Sequence, residues 1–170
     1  MKNVVLFFSY KGGVGRSINL LSTAVIAAGK YNKKIGIVDA DVEAPSLHLL
    51  LNIKLKEGHQ NLLNILHRGV TKIKIEEGTI ILRDIFPEKK KEKLGNGNIY
   101  LFPCLPGKEL AFLNPISEED RENLAGTLED FLVQFFKIKG LNYIFIDCKA
   151  GLSGWIPIVE SGISIHTIIP

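Results

Sequence analysis

One segment near the start of the chain constrains the fold more than any other. Asn3–Ser9 contains a continuous apolar run of the kind found in strands that are covered on both faces. A glycine cluster follows at residues 12–15, and Ser17–Lys30 then places apolar residues at helical spacing. Lys34–Asp39 is a second buried-strand pattern. This order predicts a βαβ unit, and with it a parallel sheet with a right-handed crossover.

The second half of the chain continues the alternation of strands and helices. Asn98–Cys104 and Tyr143–Asp147 are predicted strands, and Ile163–Ile169 is predicted to be the last strand. Ser117–Lys139 is predicted to be a long helix, because Ser117 with Asp120 forms a capping pattern and Gly140 follows the apolar stripe.

Residues 54–97 have a weaker pattern, which predicts a variable insertion within one domain spanning 1–170. Asn61–His67 is predicted to be a short helix, and Ile73–Phe86 a hairpin or edge strand. The charge run Glu88–Lys93 predicts an exposed loop.

Composition excludes several classes of protein. No apolar run approaches the ~18 residues of a membrane-spanning helix, and no signal-peptide pattern opens the chain. The two cysteines, Cys104 and Cys148, provide neither a disulfide framework nor a metal-ligand set, so we expect reduced thiols and a cytoplasmic location. The formal net charge of +3 does not by itself indicate nucleic acid or a membrane surface.

The glycine cluster has the features of a phosphate-binding loop. The segment Lys-Gly-Gly-Val-Gly-Arg-Ser (11–17) lies between a predicted strand and a predicted helix, which is the required context. Glycines allow successive N–H groups to point at one spot, and the helix N-terminus adds partial positive charge there. Ser17 would begin the helix with its hydroxyl available to Mg²⁺. A glycine-rich turn without a ligand is the alternative interpretation.

The loop departs at two positions from the common pattern G-x-x-x-x-G-K-[ST]. Tyr10 replaces the first glycine, and Arg16 replaces the lysine. An arginine is planar and offers several donors where a lysine is a point charge, so the exchange is not conservative. Because the positive charge is kept, we expect phosphate binding to be kept. The residues do not determine whether the rate of hydrolysis is kept as well.

Aspartates follow two of the predicted strands. Asp39 and Asp41 close the second strand, and Asp147 ends the strand that begins at Tyr143. Ligands of open parallel sheets bind at this edge, and a hydrophobic run that ends in aspartate is the Walker B arrangement, in which the acid holds Mg²⁺. Solvated turn aspartates are the alternative.

These residues resemble the deviant Walker A motif of the ParA/MinD-type (SIMIBI-class) P-loop ATPases, in the KGGVGR variant subgroup. Lys11 matches the signature lysine of that family. The resemblance is strong over 3–51 and 142–151 and weak over 54–97. It implies an α/β, three-layer P-loop NTPase fold with a mostly parallel central sheet. Family members continue beyond the point where this chain stops, which would leave the last strand at a sheet edge. We therefore expect either that the C-terminal part is truncated or that the chain completes itself by dimerisation.

The resemblance also implies roles for individual residues. Catalytic roles fall on Lys11, Arg16 and Asp41, and switch roles on Asp41 and Gly151. Mg²⁺ would be held by Ser17 and Asp147, with Asp39 nearby. The nucleotide would be bound by Lys11, Gly12, Gly13, Val14, Gly15, Arg16, Ser17 and Ile18.

The implied activity is a switch that depends on ATP and Mg²⁺. ATP and ADP would be its ligands, and Lys11 would reach the partner's nucleotide in an ATP-bridged homodimer that positions DNA, membrane or protein cargo. A nucleotide-binding regulatory module without hydrolysis and a scaffold without nucleotide remain alternatives, as does a small-molecule kinase or synthetase of the same fold. An iron–sulfur carrier is disfavoured because the sequence contains no C-x-x-C.

Overall fold

A six-stranded sheet organises the chain in the computed structural model, which describes residues 3–72, 74–105, 117–148 and 165–168. The strands are β1 (Val4–Phe7), β2 (Lys34–Ala40), β3 (Ile80–Ile81), β4 (Asn98–Phe102), β5 (Tyr143–Cys148) and β6 (Ile165–Ile168). The helices are α1 (Arg16–Tyr31), α2 (Leu47–Leu50), α3 (Leu62–Arg68), α4 (Ile75–Gly78), α5 (Leu82–Ile85), α6 (Glu88–Lys91) and α7 (Glu118–Lys139). Two 3₁₀ turns lie at Val70–Lys72 and Glu92–Leu94.

The strand order is β3-β4-β2-β5-β1-β6. β1, β2, β4, β5 and β6 are parallel to their neighbours, and the short β3 pairs antiparallel with β4. This arrangement confirms the mostly parallel α/β sheet predicted from the sequence. It also places β5 between β1 and β2, so the crossover through α1 skips one strand position. The predicted last strand is confirmed as β6, which pairs with β1 at one end of the described sheet.

Helices cover both faces of the sheet, as the continuous apolar strands require. On one face, α7 buries Leu128, Phe131, Leu132 and Phe135 in a core that also includes α3. On the other face, α1 buries Leu20, Ala24 and Ala28 against Ile35 and Ile37 of β2. The spacing of four residues in α1, and of three and four residues in α7, is the helical period seen in the sequence. The predicted three-layer arrangement is therefore confirmed.

The ends of the long helix are those predicted from the sequence. The hydroxyl of Ser117 accepts a hydrogen bond of 3.1 Å from the backbone N–H of Asp120. At the other end, Gly140 has a left-handed backbone (φ 57°), and its N–H donates to the carbonyl of Lys137. Among the residues that the structure describes, no helix has the length and apolar character needed to cross a bilayer.

The middle of the chain differs in part from its predicted structure. The helix predicted at Asn61–His67 is confirmed as α3. The exposure predicted for Glu88–Lys93 is confirmed, but the segment is α6 followed by a 3₁₀ turn, so its predicted loop conformation is wrong. Leu94 at the end of this segment is fully buried beside α1, and Lys91 pairs with Glu88 at 2.7 Å, so both packing and local charge favour a helical turn. In the described part of the predicted hairpin or edge strand Ile73–Phe86, which is residues 74–86, only Ile80–Ile81 forms an edge strand, and it lies between the short helices α4 and α5.

Candidate functional site

The glycine loop connects β1 to α1 and borders open space. Gly13 (φ 78°) and Gly15 (φ 82°) adopt left-handed backbone conformations that favour glycine, and Gly15 is the residue that caps α1. No side chain makes a capping hydrogen bond at this helix start. A Cβ atom placed on Gly12, Gly13 or Gly15 would meet nothing within 4 Å. The first backbone N–H groups of α1 therefore lack a side-chain acceptor beside a space that an anion can enter.

That space is a cleft of about 630 Å³. All of the predicted nucleotide-binding residues except Lys11 line it, and Lys11 is an exposed residue of the same loop. The second wall is the segment that follows β2 and includes Asp41, for which a catalytic and a switch role are predicted. The lining residues are Ser9, Gly12, Gly13, Val14, Gly15, Arg16, Ser17, Ile18, Asp41, Glu43, Ala44 and Leu50.

Arg16 is the most heavily bonded side chain of the cleft. Its Nε donates to Oδ1 of Asp147 at 2.7 Å, and one terminal nitrogen donates to Oγ of Ser9 at 3.3 Å. The other terminal nitrogen lies 3.5 Å from Oδ2 of Asp41. All three guanidinium nitrogens thus contact protein groups, and the side chain is only 10% exposed. A lysine, with a single nitrogen, would not span these three partners.

Asp147 lies behind Arg16 at the end of β5. Its side chain is 1% exposed, and it does not line the cleft. Burial raises the pKa of Asp147, whereas hydrogen bonds from the hydroxyl of Ser17 and from Arg16 lower it. The β2–β5 register pairs Asp147 with Asp39. The two predicted strand-end acids are therefore neighbours, as the parallel sheet requires.

Asp39 is fully buried and also lies behind the cleft wall. Its two carboxylate oxygens accept hydrogen bonds from the backbone N–H groups of Asp41 (3.3 Å) and Leu47 (3.1 Å). Asp39 thereby fixes the turn that leads from β2 to α2. The pKa of Asp39 is raised to about 7, chiefly by burial and also by the neighbouring Asp147, while the two N–H groups act to lower it.

Asp41 is the acid that faces the cleft. Its Oδ1 accepts a hydrogen bond of 3.1 Å from the backbone N–H of Ala44, and its side chain is 13% exposed. The hydrogen bond fixes the carboxylate, and the remaining oxygen is directed toward Arg16. A carboxylate held in this way can accept a hydrogen bond from a molecule in the cleft.

The donor set fits a magnesium ion bound together with phosphates. Ser17 and Asp147 are hydrogen-bonded to each other and supply the hard oxygen donors that Mg²⁺ prefers. Within the described ranges, no group of three His, Cys, Asp or Glu side chains is arranged to hold a metal ion. Mg²⁺ typically takes one or two carboxylates and completes its shell with water and phosphate oxygens, so the few protein donors here suit it.

Sequence reasoning missed several residues of the site. Ser9 is buried and binds Arg16, and its place as the polar end of the first apolar run was the available signal. Glu43, Ala44 and Leu50 line the cleft, but nothing in the sequence shows which side of the turn faces the loop. The predicted switch residue Gly151 lies outside the described residues.

The buried acid Asp39 makes stability dependent on pH. With a folded-state pKa of about 7 against an ordinary 3.8, Asp39 favours folding while it is protonated, and this contribution is lost as the pH rises from about 4 through 7. Asp39→Asn removes this titration. In metal-free urea unfolding, we expect the stability of wild type relative to the variant to fall by a few kcal/mol between pH 4 and 8.

The exposed Asp84→Asn variant is the control for this experiment, and it should keep the wild-type pH slope. If the unfolding free energy of Asp39→Asn changes with pH as steeply as that of wild type, Asp39 is ionised throughout this pH range.

Comparison with known proteins agrees with the loop and the sheet. A model of the ParA family, described as NUBPL iron-transfer P-loop NTPase, matches residues 1–82. An iron–sulfur protein required for NADH dehydrogenase from Arabidopsis thaliana is 43% identical over 33% of this chain and 18% of that protein. An uncharacterized ATP-binding protein of Methanocaldococcus jannaschii is 26% identical over 97% of this chain and 51% of that protein.

Among solved structures, a plasmid partition protein from Borrelia burgdorferi bound to AMPPNP superposes with a TM-score of 0.69 at 20% identity. The alignment covers all of this chain and 61% of that one. The chain thus spans less than two thirds of the length of these relatives. The sequence match over residues 1–82 and the shared fold agree with the resemblance predicted from the glycine loop: the chain is similar to the ParA family of P-loop NTPases over its first 82 residues, and it shares the fold of the partition protein.

Proposed function

We propose that this chain binds ATP with Mg²⁺, hydrolyses it, and dimerises in the ATP-bound state to position DNA, membrane or protein cargo. The observation that carries the proposal is the placement of the glycine loop. Its left-handed Gly13 and Gly15 open onto the same cleft as Asp41, and Asp147 lies directly behind Arg16. The relation to a partition protein solved with AMPPNP supports a nucleotide as the ligand.

Binding would use the backbone first. Residues 13–17 line the cleft at the start of α1, and their N–H groups would donate to the phosphates there, where the helix dipole favours anions. The Arg16 guanidinium is the nearest side-chain cation and would neutralise phosphate charge. Ser17 and Asp147 would hold Mg²⁺, and the ion would supply positive charge to neutralise the charge that develops on the phosphates.

Hydrolysis would depend on Asp41. A water molecule attacks the γ-phosphorus while the bond to the β–γ bridging oxygen breaks, which gives ADP and inorganic phosphate. Asp41 lines the cleft with its carboxylate fixed by Ala44, so it can accept a hydrogen bond from that water. Positioning and charge stabilisation supply most of the catalysis in such reactions.

Exposed residues around the loop support dimerisation. Tyr10, Val14, Ile18 and Leu50 are large apolar residues that remain exposed next to the cleft. Lys11 is exposed between the first two of them. A second copy placed across the cleft would cover this apolar surface, and its nucleotide would come within reach of Lys11. The homodimer is thus proposed to form over the bound nucleotide.

Two other functions can be compared with this proposal. A regulatory module that binds nucleotide without hydrolysis is favoured by the engagement of Arg16 with the acids of the site. A cluster carrier would need thiolate ligands, but Cys104 and Cys148 are both buried, and burial raises the pKa of the Cys104 thiol. Similarity to relatives whose names refer to iron–sulfur proteins therefore does not change the proposal of nucleotide binding.

Two glycines of the chain provide a matched test of nucleotide binding. Gly13 (φ 78°) and Gly58 (φ 76°) have nearly the same positive φ, and a Cβ on either meets nothing within 4 Å. Alanine at either site therefore imposes a similar backbone strain, but only Gly13 lines the cleft. In calorimetry with Mg²⁺, we expect Gly13→Ala to weaken ATP binding by about tenfold or more, which corresponds to ~1.4 kcal/mol.

Gly58→Ala is expected to bind ATP like wild type and to lose a similar amount of stability as Gly13→Ala. If wild type binds no ATP, or if the two variants bind it equally well, the proposed site is wrong.

A further inference from the structure

The side chain of Arg16 separates the cleft from the acid proposed to hold magnesium. Arg16 lines the cleft, whereas Asp147 is 1% exposed and does not reach it. The Nε–Oδ1 distance of 2.7 Å is that of a charge-assisted hydrogen bond. A metal ion that approaches Asp147 from the cleft therefore meets the guanidinium first.

The guanidinium of Arg16 disfavours a second cation beside Asp147. Asp41 and Asp147 are the two carboxylates in contact with the guanidinium, and Asp39 is the next acid behind them. A divalent ion beside Asp147 would lie close to the bound guanidinium and would be repelled by it. ATP changes the balance because its phosphates bring several negative charges and offer the guanidinium a second set of acceptors.

The three contacts of Arg16 also show how it is retained. Its nitrogens bind one carboxylate at 2.7 Å, a buried serine hydroxyl at 3.3 Å and a second carboxylate at 3.5 Å. These partners come from β5, from the end of β1 and from the turn after β2. An extended arginine spans all three, so the side chain is held in this position by the protein alone.

We propose that Arg16 is an internal cation that takes the place of magnesium in the nucleotide-free chain, so that the metal binds well only together with a polyphosphate that draws the guanidinium off Asp147. This inference rests on the proposed function, and it concerns the regulation of the same site. Arg16 acts here as a positioning residue for the metal. Binding of metal and binding of polyphosphate are coupled because Arg16 can pair either with Asp147 or with the phosphates.

The coupling is tested with Mn²⁺ as a spectroscopic probe, titrated by electron paramagnetic resonance into the full chain without nucleotide. Arg16→Gln is expected to bind Mn²⁺ on the order of tenfold more tightly than wild type, within the usual range of coupling between sites. Lys30→Gln removes an exposed cation from the other end of α1, away from the cleft, and should bind Mn²⁺ like wild type. Mn²⁺ alone should also raise the melting temperature of Arg16→Gln more than that of wild type.

A non-hydrolysable ATP analogue then distinguishes the outcomes. The analogue should strengthen Mn²⁺ binding by wild type more than by Arg16→Gln. If the two proteins bind Mn²⁺ alone equally while wild type binds the metal–analogue pair, the inference is overturned and the proposed function stands. If wild type binds neither Mn²⁺ nor the analogue, both fail.

Arg16→Lys keeps the test usable if Arg16→Gln does not fold. A lysine retains one positive charge on a single nitrogen, so it cannot hold Asp147, Asp41 and Ser9 together. We expect its affinity for Mn²⁺ alone to exceed that of wild type. An affinity equal to that of wild type would contradict the inference.

Discussion

Asp41→Asn is expected to lower the rate of ATP hydrolysis by about a hundredfold or more and to leave ATP binding intact. The loss has the size found when a group that assists proton transfer or orients water is removed. Asparagine keeps the shape of the side chain and can still accept the hydrogen bond from Ala44, so the turn should be preserved. ATP affinity should stay equal or rise, because one negative charge near the phosphates is removed. Phosphate release and calorimetry on the same preparations measure the two effects.

Asp130→Asn is the matched control, since Asp130 is exposed on α7 and does not line the cleft. It should hydrolyse ATP at the wild-type rate. Slow hydrolysis should also trap the ATP state, so Asp41→Asn with ATP should show the mass of a dimer, and adding Lys11→Ala should return it to a monomer. Equal hydrolysis by Asp41→Asn and wild type would remove Asp41 from the mechanism. A wild type that binds ATP without hydrolysing it would support the regulatory module instead.

Phe131→Ala is expected to cost about 3–5 kcal/mol of unfolding free energy. Phe131 is fully buried on α7, with its ring centroid 4.7 Å from that of Phe102 on β4 and 5.7 Å from that of Phe135. The substitution leaves a cavity between a helix and the sheet, which the rigid strand cannot close. A domain has only about 5–15 kcal/mol of stability in total, so this variant should be close to unfolding at 37 °C. Urea denaturation measures the loss.

Phe136 provides the comparison for this prediction, because it lies five positions further along the same helix and is only partly buried. Phe136→Ala should lose less than half as much stability as Phe131→Ala. Equal losses would mean that this face of α7 is not packed on the sheet as described.

The features of the fold that could be predicted are those determined by residues close together in the sequence. The apolar run at 4–7, the glycines and the period of Leu20, Ala24 and Ala28 each depend on neighbours within a few residues. The strand-end acids Asp39 and Asp147 could be predicted to lie at the same edge of the sheet because parallel strands end at one edge, but their adjacency depends on the strand order. The loop predicted at 88–93 is wrong because the burial of Leu94 against α1 is a long-range contact, which a pattern of neighbouring residues does not reveal.

The contacts of Arg16 could not be predicted from the sequence. Arg16 and Asp147 are 131 positions apart, and they meet only because β5 lies between β1 and β2. Residue spacing does not reveal that strand order. The sequence showed an unusual residue at position 16, but the acids that it contacts depend on the assembled sheet.

The position of β5 between β1 and β2 determines when the central sheet can form during synthesis. β1 and β2 are made early, yet they do not touch each other, because each pairs with β5, which is synthesised more than a hundred residues later. A nascent chain that carries only the βαβ segment has the glycine loop but no Asp147 to hold Arg16. Pairings of such large sequence separation slow folding. The competent cleft therefore appears only when the late strand inserts, and capture of a nucleotide would report that the central sheet has been completed.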